Sequence, residues 1–356
     1  MKITINTIKL QNAVAKVIKG AGFNKLLELS NNLGITLEGT NLLLATTDGT
    51  NYMYVSLDVP ASEDFSIAVN AEMFSKLITK ITSEEVALEV TSNALIVRGN
   101  GTYTLSLCLD DNGEILSFPN FATKMPEVKE SVTVYKEVIS AMITSLKPSL
   151  SDNAGSIYSN YYVGEFLAST DRAMMSIYDE KMFKDNEFMF SREFVDLLGL
   201  ATSDVVLELT DEYLIATSDD MCVCAKKPID TNGFEVAGIK GILALEFNSF
   251  CRVSKSGLLA LLERLALFVG QYDDSAINLH FTDNALEVSS LSSSGIESID
   301  YKEAKDAVDM AVKINVNRLI AQVKAYSSDT VDIYYGQSKF LKLSDGKLTQ
   351  IIAYML

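Results

Sequence analysis

Phe65 opens the stretch FSIAVNAEMFSKLITKI, which ends at Ile81 and leads, after Thr82, into SEEVALEVTSNALIVRGNGTYTLSL. It reads as a strand, a polar cap residue, a short amphipathic helix and then strands joined by tight turns. The same order returns twice. NEFMFSREFVDLLGLA starts at Asn186 and is followed by TSDVVLELTDEYLIATSDDMCVCA. DMAVKINVNRLIAQVKAY starts at Asp309 and is followed by SSDTVDIYYGQSKFLKLSDGKLTQIIAYM. The expected caps are Asn70, Ser191 and Asn315, whose side-chain oxygens can accept a free N–H of the first helical turn. They lie 121 and 124 residues apart, which divides the chain of 356 residues into thirds.

The front of each third also matches. A helix-period segment opens it, at 8–19, 135–147 and 252–268. A hairpin follows. LGITLEGTNLLLATTDGT from Leu33 parallels SIYSNYYVGEFLASTDRA from Ser156, and both end a strand with Thr-Asp, at Asp48 and Asp171. INLHFTDNALEVSSLSS keeps the hairpin and loses the Thr-Asp. Turns are expected at 38–41, 99–101, Gly164-Glu165 and 282–284. The fold expected is α+β: three tandem copies of one domain, each with two helices and a run of antiparallel strands, over 1–124, 125–244 and 245–356. Strands at the ends of such a row expose unpaired edges, a hazard that closure into a ring removes.

The charges are sorted by element. The chain carries 30 Lys and Arg against 47 Asp and Glu, a net charge of −17. The six expected helices hold 13 basic and 5 acidic residues, so the remainder is more acidic than the whole. On the first helix Lys9, Lys16 and Lys19 oppose an apolar stripe of Leu10, Val14, Val17 and Ile18. Lys76 and Lys80 follow on the second, then Lys136 and Lys147, then Arg192 on the weakest. Arg252, Lys255, Arg264, Arg318 and Lys324 are the set of the last third. Lysines on one helix surface are ordinarily a solvated face. Repeated on six helices of an acidic chain, they point to contact with a polyphosphate, which is sequence-independent and salt-sensitive. Aromatic residues are not interleaved with them, which disfavours stacking on single strands.

Little in the chain suggests catalysis. His280 is the only histidine and is expected to be structural, since no nucleophile or orienting acid is visible around it. There is no phosphate-cradling GxxxxGK[ST] loop and no Cys/His cluster for zinc. The carboxylate pairs Asp110-Asp111, Asp219-Asp220 and Asp273-Asp274 sit in expected turns. No catalytic residue, metal or cofactor is expected. The four cysteines are too few for a disulfide scaffold and are expected to be buried or partly buried thiols, with Cys222 and Cys224 on opposite faces of a strand. No apolar run is long enough to cross a membrane, and MKITINTIKL lacks the apolar core of a signal peptide, so a cytoplasmic location and no membrane partner are expected.

MKITINTIKLQNAVAKVI, LLLATTDGTNYMYVSL, SIAVNAEMFSKLITKI, FLASTDRAMMS and the terminal IIAYML, in that order along the whole chain, resemble the bacterial DNA polymerase III beta subunit, the sliding clamp. The resemblance implies two chains joined head to tail in a ring. Helices would line a hole around duplex DNA, touching it without sequence specificity, and the outer face would be continuous sheet. Such a ring does no chemistry and raises the effective concentration of a polymerase at the primer end; a clamp loader opens it. By position the resemblance places a homodimer interface at Tyr103 and Leu105 against Phe268 and Val269. It places a partner-peptide groove at Ile157, Thr170, Arg172, Ala173, Met174, Met175, Ile352 and Tyr354. The family usually has Thr-Asp-Gly-His-Arg-Leu where this chain has Thr170-Asp171-Arg172-Ala173-Met174-Met175, and its Met-Pro-Met-Arg-Leu tail is Ile352-Ala353-Tyr354-Met355-Leu356 here. Such drift fits a clamp of a phage or mobile element. The alternative is a clamp-like decoy or regulator that binds replication proteins without encircling DNA. A carboxylate-dependent nuclease is a third reading.

Overall fold

The computed structural model describes all residues except 61–62, 123–125, 185, 227–228, 271–274, 293, 337 and 356. The first expected boundary, at 124 and 125, and the pair Asp273-Asp274 therefore lie outside the described residues. The rest falls into two compact units, Met1–Ile139 with Glu193–Pro228, and Ser140–Arg192 with Ile229–Leu356. The expected middle third, 125–244, contributes to both.

The first unit holds two antiparallel sheets. One has the order β1 (Lys2–Asn6), β6 (Glu85–Val90), β7 (Ala94–Arg98), β8 (Thr102–Ser106). The other runs β5 (Phe65–Asn70), β2 (Asn32–Glu38), β3 (Asn41–Thr47), β4 (Asn51–Asp58), β16 (Met221–Lys226), β15 (Tyr213–Thr217), β14 (Val205–Leu209), β9 (Glu130–Val134). In the second unit the large sheet is β13 (Phe188–Phe190), β10 (Tyr161–Val163), β11 (Leu167–Thr170), β12 (Met174–Tyr178), β25 (Leu348–Ala353), β24 (Phe340–Ser344), β23 (Thr330–Tyr335), β17 (Ser249–Ser254), β21 (Glu303–Lys305). The small one is β20 (Ile296–Asp300), β19 (Ala285–Ser290), β18 (Ala276–Phe281), β22 (Met310–Asn315). Each large sheet thus joins strands from two of the expected thirds, at β4–β16, where Val55 faces Met221, and at β12–β25, where Met175 faces Ile351.

The helices are α1 (Thr7–Val17), α2 (Ala71–Lys80), α3 (Lys136–Ala141), α4 (Arg192–Leu198), α5 (Val236–Leu243), α6 (Lys255–Leu265) and α7 (Val316–Lys324). Asn70 accepts from the Met73 N–H at 2.9 Å and Asn315 from the Arg318 N–H at 3.0 Å, which satisfies two of the orphan donors that open α2 and α7. Leu10, Val14 and Val17 of α1, and Phe74 and Ile78 of α2, are fully buried, as a 3.6-residue period requires. Burying such a side chain is worth about 1.5–3 kcal/mol, so these stripes fix each helix against its sheets.

Three expectations need correction. The segment 252–268 is not helical throughout. Residues Arg252, Val253 and Ser254 end strand β17, and Ser254 caps α6 by accepting from the Gly257 N–H at 3.4 Å. Arg252 is therefore a strand residue. Helix α5, not among the six expected helices, ends at Leu243, just before the expected boundary between 244 and 245; its two glycines, Gly238 and Gly241, hide the helical period. Cys222 and Cys224 share one face of β16, since a strand returns to the same side every second residue. Both pack with Leu43, Ala45, Tyr54 and Ile215. Burial pushes the Cys222 thiol up to about 12.

Candidate functional site

The thirteen basic residues divide by what holds them. Lys16 of α1 reaches the Asp220 carboxylate at 2.7 Å, and Lys76 of α2 reaches Glu72 one turn earlier at 2.5 Å. Arg264 pairs with Glu297 at 2.5 Å, Arg318 with Asp171 at 2.8 Å and Lys324 with Glu263 at 2.9 Å. Arg252, on its strand, is held by both Asp332 and Glu303 at 2.6 Å. Lys136 donates to the Thr202 carbonyl at 3.1 Å and Lys255 to that of Tyr326. Lys147 is half-buried in the turn that follows α3. Lys9, Lys19, Lys80 and Arg192 have no such partner among the described residues. The sequence showed the cations and, apart from Glu72, hid their carboxylates, which stand far away in the chain. The more exposed pairs, those of Lys76, Arg264 and Lys324, are worth about 0–1 kcal/mol, so a phosphate can compete for the cation.

Five of the eight expected groove residues meet at a pocket of about 150 Å³ in the second unit. Its floor is the β12–β25 ladder, with Met174 opposite Ile352 and Met175 opposite Ile351. Thr170 leads into the β11–β12 turn, where its hydroxyl donates to the Met174 carbonyl at 2.7 Å and accepts from the Arg172 N–H at 2.9 Å. Asp171 Oδ1 accepts from the N–H groups of Ala173 and Met174 at 2.8 and 2.7 Å. Beneath the floor, Gln322 of α7 donates to the carbonyls of Met175 and Ile351, each at 3.3 Å. The turn puts Arg172 at a φ of 75°, and its guanidinium carbon stands 5.5 Å from the centre of the Tyr158 ring.

Thr170, Arg172, Ala173, Met174 and Met175 line this pocket. Ile157, Ile352 and Tyr354 do not. Ile157 packs against the apolar cluster behind it, around Tyr162, Met189 and Phe234. Ile352 and Tyr354 pack with the other core of the unit, around Leu258, Leu261 and Val323. Neighbouring residues of a strand point to opposite faces, so Ile351 takes the pocket position expected of Ile352. The sequence also missed Tyr158, Phe340, and Glu235, Ile239 and Ile242 at and in α5. The apolar run Ile239, Ile242 was a signal, obscured by the intervening Gly241.

At the expected interface, Tyr103 on β8 is 40% exposed and Phe268, after α6, is 54% exposed. Val269 is half-buried and Leu105 is buried in the core of its own unit. Two further apolar residues stand out: Leu267, beside Phe268 in the chain, is 83% exposed, and Ile296 on β20 is 64% exposed. Leu267 falls off the buried stripe Leu258, Leu261, Leu262, Leu265, which was the legible sign. Among the described residues, β8 pairs only with β7 and β20 only with β19.

His280 lies on β18 between Asp309, 2.7 Å from Nε2, and Glu287, 3.3 Å from Nδ1. The hydrogen bond to Asp309, with help from Glu287, raises its pKa above the usual imidazole value. No helix among the described residues is long and apolar enough to cross a membrane.

Residues 1–116 match the family described as DNA polymerase III beta subunit, N-terminal domain. No curated protein matches the chain by sequence. Solved structures match it over its full length. A putative DNA polymerase III beta subunit from Eubacterium rectale superposes with a TM-score of 0.84 at 18% identity, covering 100% of this chain and 99% of that one. The DNA polymerase sliding clamp from Bacillus subtilis gives 0.86 at 14% identity, with the same coverage. The sliding clamp from Pseudomonas aeruginosa, solved with a ligand, gives 0.86 at 16% identity and covers both chains fully. At these identities the structural likeness establishes the α+β clamp fold. Together with the match of the first 116 residues, it bears out the resemblance read from the sequence.

Proposed function

We propose that this chain is a non-catalytic DNA sliding clamp, a homodimeric ring that encircles duplex DNA and tethers a replicative polymerase. One observation carries the reading. Set β21 aside, and the strands among the described residues fall into three sets of eight with the same order in each: first, sixth, seventh, eighth, and fifth, second, third, fourth. The fourth strand of one set pairs with the eighth of the next, β4 with β16 and β12 with β25. That rule leaves one fourth strand, β20, and one eighth strand, β8, without their counterparts. A second copy supplies both, and a head-to-tail pair closes with no such edge left over. The exposed Tyr103, Leu267, Phe268 and Ile296 belong to or adjoin these two edges and would be covered on closure.

Each set also carries two helices, α1 and α2, α3 and α4, α6 and α7, and these would line the bore. Lys9, Lys19, Lys80 and Arg192 would meet phosphates first. Lys16, Lys76, Arg264, Arg318 and Lys324 would do so by exchanging a carboxylate for a phosphate, with Lys136, Lys147 and Lys255 contributing from the same helices. Arg252, on its strand and held twice, is left out of the contact set. The pocket at β12–β25 would hold a short peptide of the polymerase or of the loader. Adaptable methionines suit that task.

The test is assembly and then topology. The wild-type chain sediments at twice 39.0 kDa, and Phe268→Asp with Val269→Asp sediments as a monomer. Once loaded, the ring stays on nicked circular duplex and runs off linear duplex. A wild-type monomer, or equal retention on both DNAs, overturns the ring. The many basic residues already paired with carboxylates favour a second reading, a clamp-like regulator that binds replication proteins without encircling DNA. It predicts peptide binding with no retention on either duplex.

A further inference from the structure

We infer that Arg172 makes the pocket selective for a peptide carrying a carboxylate beside its apolar anchors; this rests on the peptide-groove reading above. Three observations converge on that residue. The first is conformational. The β3–β4 turn makes the same Thr-Asp hydrogen bonds as the β11–β12 turn, and its left-handed position is Gly49, at a φ of 98°. In the second turn Arg172 holds that position at a φ of 75°. Backbone sterics favour glycine there, so a long side chain in its place is a strained choice, and strain of this kind collects at binding sites.

The second is charge. The chain has six arginines. Arg98, Arg252, Arg264 and Arg318 are each paired with a carboxylate. Arg172 has no such pair among the described residues, in a chain of net charge −17. It is the cation on a pocket otherwise lined mainly by Met174, Met175, Ile239, Ile242 and Ile351.

The third is geometry. The guanidinium lies over the Tyr158 ring. An arginine over a ring keeps N–H donors whose planar fork can hold both oxygens of a carboxylate. Glu235 lines the same pocket and would repel an acid placed near it. The acidic residue of the peptide therefore sits against Arg172 and away from Glu235.

A phage-displayed library of random heptapeptides, selected on the intact protein, tests this. Selections run in parallel on Arg172→Gly, Arg172→Glu and Ile239→Glu. Peptides that bind wild type and fail on Ile239→Glu are pocket ligands. These ligands are enriched in Asp and Glu, the enrichment disappears with Arg172→Gly, and Arg172→Glu selects Lys and Arg instead. A synthetic peptide from the wild-type selection loses about fivefold in affinity when its acid becomes the amide, as one partly exposed charge-assisted contact predicts. Arg172→Gly removes that difference. Pocket ligands with no acidic bias overturn the role of Arg172 and leave the groove standing. A selection that yields no pocket ligand on any of the proteins removes the groove reading, and this inference with it.

Discussion

In the β3–β4 turn the Thr47 hydroxyl donates to the Asn51 carbonyl at 2.6 Å, and Asp48 accepts from the N–H groups of Thr50 and Asn51 at 2.7 and 2.6 Å. In the β11–β12 turn Thr170 and Asp171 repeat that pattern on Ala173 and Met174. The differences lie in what the aspartate does next and in the left-handed residue. Asp48 accepts at its second oxygen from the Asn51 side-chain amide at 2.8 Å, within its own turn. Asp171 gives its second oxygen to Arg318 on α7. One turn is closed locally around a glycine. The other is anchored to a helix and carries an arginine over a pocket. The same hydrogen bonds that end a hairpin also hold a pocket-lining arginine in a conformation it would not choose.

Removing the anchor gives the largest effect. Asp171→Ala leaves two N–H groups without their acceptor and Arg318 without its partner, and costs about 2–3 kcal/mol in urea unfolding. Asp48→Ala costs about 2 kcal/mol by the same measure and does not alter pocket-ligand affinity. If it does, the two turns are not independent. Exchanging the left-handed residues is next. Arg172→Gly relieves about 1–2 kcal/mol of backbone strain and loses about half of that to a more flexible unfolded chain, for a net gain of about 0.5–1 kcal/mol. Gly49→Arg shifts the urea midpoint the other way. Equal midpoints for both variants would show that φ alone does not distinguish the turns. Of the same size is Arg318→Ala, which costs up to about 1 kcal/mol. It vanishes in the Asp171→Ala background when the pair acts as a unit.

The sequence made the shared half of this comparison legible. Thr-Asp at the end of two equivalent strands is a spacing that can be seen, and so are the Asn70 and Asn315 caps, because caps and hairpin turns are local chemistry. The unshared half depends on partners distant in the chain. Nothing near Asp171 announces Arg318, and nothing near Lys16 announces Asp220. The pocket was half visible for a related reason. Its turn residues are contiguous, whereas α5 was masked by Gly238 and Gly241. The choice between Ile351 and Ile352 depends on strand phase, which one residue inverts. The run from Arg252 failed because three strand residues in front of a helix cannot be told from its first turn by period alone.

The seam between β4 and β16 has a consequence for how the chain is made. Val55 leaves the ribosome long before Met221, the residue that will face it. At roughly 5–20 residues per second, the bare margin of β4 waits on the order of 10–30 s for its neighbour. During that interval a nascent chain on the same messenger offers an equivalent strand. Cells that make this protein quickly would benefit from a chaperone that shields the margin, or from slow codons that space neighbouring nascent chains apart.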